Sequence, residues 1–274
     1  MKHYTYSKKI INRDLPHGKK LFSGHIRRSV IVLFVLFIVL DITLLCLYRH
    51  RIYYSIGNIA FGGKVLGVTF YNIAIAETFF SKAAESTLED RWVNYQLSRI
   101  NFIKGDLQRA IYFANRELEL YPDNCRTHYI RGLTYGYMER LDEAIQDFEV
   151  FNTCFPDTWA GHNDLAWFWF RKGDMKKVIE VIEKTIQVGT NAASPWLQNT
   201  YGVALMNTGH YVRAENAFLM AKYLANNMTK EDWGKAYPGN DPKIYEQGLN
   251  SMRLSIQKNL ELLEKKRSET TQHP

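Results

Sequence analysis

The sequence predicts an all-α protein, an α-solenoid of helix-turn-helix repeats preceded by a single N-terminal transmembrane helix. Three observations carry this. Residues 29 to 48 read SVIVLFVLFIVLDITLLCLY, an uninterrupted apolar run apart from Asp41. Small and apolar residues recur at a period near 34 between residues 91 and 224. Beyond them, Tyr245, Leu249, Met252, Ile256, Leu260 and Leu263 follow helical spacing.

The apolar run comes first. Twenty residues at 1.5 Å rise span about 30 Å, the thickness of a hydrocarbon core. A cleaved signal would have an apolar region of about 7 to 15 residues and then a small-residue cleavage site. Here the run passes directly into Leu47, Tyr48, Arg49, His50 and Arg51, so residues 29–48 read as a retained anchor in contact with the lipid bilayer. Asp41 is the one charge inside. It costs about 2.5–3.5 kcal/mol on insertion scales, which the many Leu, Ile, Val and Phe residues outweigh. Either the helix tolerates it protonated or beside a water defect, or it makes an intramembrane contact with a polar partner in another helix.

The formal net charge is +7, and it is unevenly placed. Lys2, Lys8, Lys9, Arg13, Lys19, Lys20, Arg27 and Arg28 face only Asp14, so residues 1–28 hold the whole excess. That distribution argues against a nucleic-acid partner and, by the positive-inside rule, for a cytoplasmic tail with the rest of the chain outside. Residues 52 to 80 are also apolar, but Lys64 and Glu77 leave too short an uncharged stretch to cross a bilayer. Residues 49–90 therefore read as juxtamembrane helices packed on the soluble part.

The repeats follow. A small residue recurs at Ser98, Gly132, Ala166 and Gly202, spaced 34, 34 and 36, and a second column runs through Ala110, Ala144, Val178 and Ala214. A bulky column, Phe148, Ile182 and Phe218, is broken by Ala114 in the first unit. Gly105, Gly173 and Gly209 fall at the turn inside three units, and Pro122 and Pro156 close two of them. Each unit has room for two helices of three to four turns, and small residues let the pair approach closely. Such a pair cannot bury its apolar face alone, so neighbours must stack.

These columns resemble the tetratricopeptide repeat (TPR) family. The segments carrying the resemblance are NYQLSRINFIKGDLQRAIYFANRELELYPDN, HYIRGLTYGYMERLDEAIQDFEVFNTCFPD, HNDLAWFWFRKGDMKKVIEVIEKTIQV and QNTYGVALMNTGHYVRAENAFLMAKYL. It covers residues 91–224 as four repeats. Departures are Glu139 and Arg140 in place of a glycine-containing turn, Thr185 in place of a small apolar residue, and an insertion at Ala193 and Ser194. Ala76, Phe80 and Ala83 precede Ala110, Ala114 and Glu117 by 34, so residues 57–90 read as a degenerate first unit. Residues 225–241 read as a loop, 242–266 as a capping helix with Asp241 and Pro242 at its start, and 267–274 as a fraying tail.

The resemblance implies that the first helix of each unit lines a concave groove. It would present Trp92, Tyr95, Arg99 and Phe102, then Tyr129, Leu133 and Tyr137, then Asn163, Trp167, Phe170 and Arg171, then Trp196, Asn199 and Val203. Aromatics with a few Arg and Asn are the anchors that a protein or peptide partner uses. The same residues also suit packing between helices or against a terminal helix of the chain itself. Asn163 and Asn199 lack the lysine companions with which some members clamp a C-terminal carboxylate.

Catalysis has little support. No phosphate loop, nucleophile elbow or metalloprotease pair is present, and no cofactor, metal or small-molecule substrate is expected. His128 and His162 sit at equivalent repeat positions near Asp164, which packing alone accounts for. Cys125 opens a first helix and Cys154 follows the second helix of the same repeat. Antiparallel helices bring those ends together, so a disulfide and two buried thiols both fit. The sequence thus points to a membrane-anchored scaffold for assembling a membrane or envelope complex, with a topology that looks like that of bacterial envelope proteins bearing periplasmic TPRs. An organellar import or assembly receptor, or a periplasmic chaperone for exported polypeptides, are the other readings.

Overall fold

The structure is a computed structural model that describes residues 19–85, 90–188, 194–236 and 241–272. The expected tail up to residue 18, Ala193 of the insertion, residues 237–240 of the expected loop and the last two residues lie outside the described residues. So do the side chains of residues 19–27 and of Cys46. The chain divides into two units, one ending at Arg49 and one starting at His50.

The described residues of the first unit belong to helix α1 (Lys19–Ala60). Its stretch Arg28–Leu45 is long and apolar enough to cross a membrane and none of it is buried, which fits a membrane anchor or a signal sequence. In water such a surface would be prohibitive, since each of these side chains gains about 1.5–3 kcal/mol from burial.

The second unit opens with the end of α1 and then departs from the all-helical expectation for residues 49–90. Phe61–Val65 (β1) and Val68–Tyr71 (β2) form an antiparallel hairpin before α2 (Ile73–Ala84). Its cause is local: Gly62 and Gly67 take φ of +98° and +82°, and β-branched Val65, Val68 and Thr69 flank the turn. Asn72 then caps α2, its Oδ1 accepting from the Ile75 N–H at 3.0 Å.

Four antiparallel helix pairs follow: α3 (Val93–Ile103) with α4 (Leu107–Leu120), α5 (Cys125–Tyr137) with α6 (Leu141–Cys154), α7 (Trp159–Arg171) with α8 (Met175–Val188), and α9 (Pro195–Asn207) with α10 (Tyr211–Asn226). The repeat columns are the buried seams of these pairs. A Cβ on Gly132 would stand 3.0 Å from the Phe148 ring, and one on Gly202 would stand 2.5 Å from Phe218. In three units the small and bulky columns compensate: Gly faces Phe twice, and Ala166 packs in one cluster with Ile182. The first repeat departs from this Gly–Phe contact: Ala114 is small where the other units carry Phe or Ile, and the Ser98 hydroxyl donates to the Ala110 carbonyl at 2.9 Å. The same contact recurs upstream, where Gly57 of α1 lies against Phe80 of α2.

All four intra-repeat turns close with one backbone bond, from the N–H of Asp106, Arg140, Asp174 or His210 to the carbonyl of Asn101, Tyr135, Trp169 or Leu205, at 2.9–3.0 Å. This is the Schellman arrangement, which needs a left-handed residue just past the helix. Gly105, Gly173 and Gly209 supply it, and in the second repeat Glu139 does so at φ +60°. Asp106 and Asp174 then cap the second helices by accepting from Arg109 and Lys177. Cys125 and Cys154, at the facing ends of α5 and α6, are bonded, with Cα atoms 6.3 Å apart.

The C-terminal end is more ordered than residues 225–241 and 267–274 led us to expect. Lys230–Ala236 forms a helix, α11, because Thr229 and Asp232 make a reciprocal cap: the Asp232 N–H donates to the Thr229 hydroxyl at 3.1 Å, and that hydroxyl donates to the Asp232 carboxylate at 2.7 Å. Trp233 and Gly234 of α11 pack on Tyr245. After a short 3-10 turn at Pro242–Ile244, α12 (Tyr245–Gln272) runs antiparallel along α10, burying Leu249, Ile256 and Leu263. It continues past residue 266, where Arg267 reaches Glu215 of α10 at 2.7 Å.

Candidate partner groove

First helices of neighbouring repeats touch one another, α3 to α5, α5 to α7 and α7 to α9, more closely than the second helices do. That difference curves the stack toward the first helices and places their outward faces on one concave side. The residues predicted for a groove lie on these helices, except Trp92 at the N-cap of α3, but the chain uses them differently along its length.

At the N-terminal end the groove is filled by the hairpin. Arg99 of α3 lies with its guanidinium 4.8 Å from the Phe61 ring centre of β1 and 5.6 Å from that of Tyr95, and donates to Gln96 at 2.8 Å. Burial pulls it below the usual arginine range, opposed by Tyr95 and Tyr71. Trp92 packs edge-on to Tyr95 at 5.6 Å and takes φ +84°, held there because its N–H and that of Tyr95 donate to the fully buried Glu117 carboxylate at 2.8 and 3.3 Å. Trp92, Tyr95 and Arg99 thus hold the N-terminal cap together.

In the middle the groove opens. Tyr137 is 68% exposed and meets Phe102 edge-on at 5.2 Å. Trp167, 46% exposed, stacks on Phe170 at 5.2 Å with planes 14° apart. Beside them a polar ladder crosses three repeats. Tyr129 donates to Asp164 at 2.6 Å, Asn163 donates to the same carboxylate at 3.4 Å, and Thr200 donates to Asn163 at 3.0 Å. Burial pushes the Asp164 carboxyl up to about 6, against the pull of those two hydrogen bonds. Arg171 is a fastener between repeats: it donates to the Gly136 carbonyl at 2.8 Å and pairs with Glu139.

At the C-terminal end the chain again covers itself. Asn199 accepts from Asn259 of α12 at 2.9 Å. Trp196 stacks on Trp159 at 4.9 Å, beside a cleft of about 240 Å³ edged by Pro195, Met228, Asp232 and Lys235. Leu133 and Val203 pack partly buried against the hydrophobic core.

No family model matches the chain, and no curated protein matches it. Among solved structures it is similar to MamA from Desulfovibrio magneticus RS-1, residue 41 to the end, with a TM-score of 0.56 at 16% identity over 66% of this chain and 97% of that one. A MamA RS-1 double mutant gives 0.56 at 16% identity, covering 65% and 95%. MamA AMB-1 gives 0.53 at 17%, covering 67% and 95%. Identity this low speaks to fold alone. The fold is a TPR-like α-solenoid.

Two residues near the open middle were not among the groove residues read from the sequence. Asp164 shares its column with Gln96, Ile130 and Thr200, so no residue type recurs to mark it. Arg126 shares a column with Trp92 and Trp196; it is exposed and close enough to Arg99 to oppose its charge. The two histidines do different things. His128 bonds the buried Asp147 at 2.7 Å, where Arg131 also donates at 2.8 Å, and His162 meets the Pro156 carbonyl at 2.8 Å. Among the described residues no His, Cys, Asp or Glu group could hold a metal ion. Asp41, within the first unit, is partly exposed on α1.

Proposed function

We propose that the chain is a membrane-anchored scaffold that holds a protein or peptide partner in the open middle of its groove, with residues 29–48 crossing the bilayer and the repeats on the outer side. The carrying observation is the contrast along the groove. Both ends are filled by the chain itself, while Tyr137 and Trp167 are left on the surface at the centre beside the Tyr129–Asp164–Asn163 ladder. Large exposed aromatics cost hydration and are used as anchors in interfaces.

Sidedness rests on two supports. The basic excess in residues 1–28 favours a cytoplasmic tail. The Cys125–Cys154 bond suits an oxidising compartment. In this reading the partner is a stable component of a membrane or envelope complex, and Asp41 is the candidate contact inside the bilayer.

The test is co-purification from solubilised membranes. Trp167→Ala and Tyr137→Ala should each weaken retention of one stoichiometric partner at least tenfold, while Tyr112→Ala on the second-helix face leaves it unchanged. Equal retention by all three would contradict the groove. A smear of unfolded polypeptides instead of one partner would favour a holding chaperone. Protease access to the repeats in intact cells, if present before the outer barrier is opened or absent after it, would contradict the sidedness.

A further inference from the structure

We propose that the hairpin at residues 61–71 contacts lipid, its turn dipping into the interfacial layer of the bilayer that anchors the chain. This rests on the membrane-anchored reading above. Val65 pairs with Val68, so Leu66 and Gly67 are the two central residues of the turn, with φ of +51° and +82°. A two-residue turn with both centres left-handed favours Asn-Gly. Leucine is poor there, because its Cβ crowds the backbone and its side chain makes no local hydrogen bond. It is also 99% exposed. Leu66 therefore serves neither the turn nor the core, and asparagine would serve the isolated fold better in both respects.

The rest of the hairpin is two-faced. Phe61 and Tyr71, paired across the ladder, join the core at Phe80. Val65 and Val68 pair beside the turn, and Phe70, two residues beyond Val68, lies on the same side of the strand; all three are exposed. The apolar tip is bordered by the exposed Lys64, whose ammonium suits the headgroup layer. Lipid is favoured as the occupant because the chain itself limits where the hairpin can go. Between Tyr48, at the end of the apolar run, and Phe61 even a fully extended chain reaches only about 45 Å.

The experiment uses the full chain reconstituted in liposomes of phosphatidylcholine with phosphatidylglycerol. An environment-sensitive fluorophore is placed at Val68→Cys or, separately, at Ile38→Cys, each in a Cys46→Ala background with the parent as labelling blank. Nitroxides on the lipid acyl chains and aqueous iodide are the two quenchers. Lipid quenching at both positions is expected, with Leu66→Asn cutting it several-fold at position 68 while the melting temperature stays the same or rises. Lipid quenching at 38 with iodide quenching at 68 would overturn the hairpin proposal alone. Iodide quenching at 38 would overturn the anchor and the hairpin proposal together. Shielding at 68 from both quenchers would mean protein contact and would overturn the lipid assignment.

Discussion

In the fourth repeat, Gly202→Ala sets two local effects against each other. Replacing a mid-helix glycine by alanine gains about 1 kcal/mol of helix propensity. The new Cβ, however, would stand 2.5 Å from the Phe218 ring, about 1 Å inside ordinary contact, and the ring is fully buried with no room to retreat. Overpacking of this kind costs about 1–3 kcal/mol, so the single change should destabilise by up to about 2 kcal/mol. Phe218→Ile alone leaves a cavity and should cost about 1–3 kcal/mol. Together they recreate the Ala166–Ile182 seam of the third repeat, so the double variant should be more stable than the sum of the singles by about 1 kcal/mol or more. Urea unfolding followed by helical circular dichroism, with the full chain in detergent, measures the cycle. Additivity within about 0.5 kcal/mol would refute the claim that the two columns are one volume shared across the seam.

Glu139→Gly should stabilise by about 0.5–1 kcal/mol in the same assay, because it relieves the one non-glycine residue among the four turns, and its exposed pairing with Arg171 contributes little. Asp164 supplies a pH dependence. Its folded carboxyl titrates near 6, above an unfolded value of about 4, so the folded state holds the proton more tightly; that contribution is present below about pH 4 and is lost as pH rises through about 6. It amounts to at most about 3 kcal/mol, and Asp164→Asn should flatten the stability profile over that window. Reduction of the Cys125–Cys154 bond, which closes a separation of 29 residues, should cost about 3–4 kcal/mol, and Cys154→Ser should be insensitive to reductant.

The repeats were legible because their signal is steric and local: a glycine facing a phenylalanine has no alternative, and the turn glycines must go left-handed. Where the pattern varied, the physics was still readable afterwards, as the left-handed Glu139 in place of a turn glycine shows. The hairpin escaped because FGGKVLGVTF carries the same apolar content as the helices around it, although its glycines and β-branched residues were a usable signal. Thr229 and Asp232 form a helix-starting cap inside a stretch whose later breakers dominated the reading. The groove was legible as a set of columns, yet which parts stay open depends on distant pairings, Arg99 with Phe61 and Asn199 with Asn259, that no local spacing encodes.

The central claim, a partner held at the centre of the groove, is tested most directly by a photo-crosslinking amino acid placed at Trp167 in the membrane of living cells, against the same probe at Tyr112. One discrete adduct is expected at position 167, at least tenfold stronger than at 112 and diminished by Tyr137→Ala. Equal labelling at the two positions would contradict it.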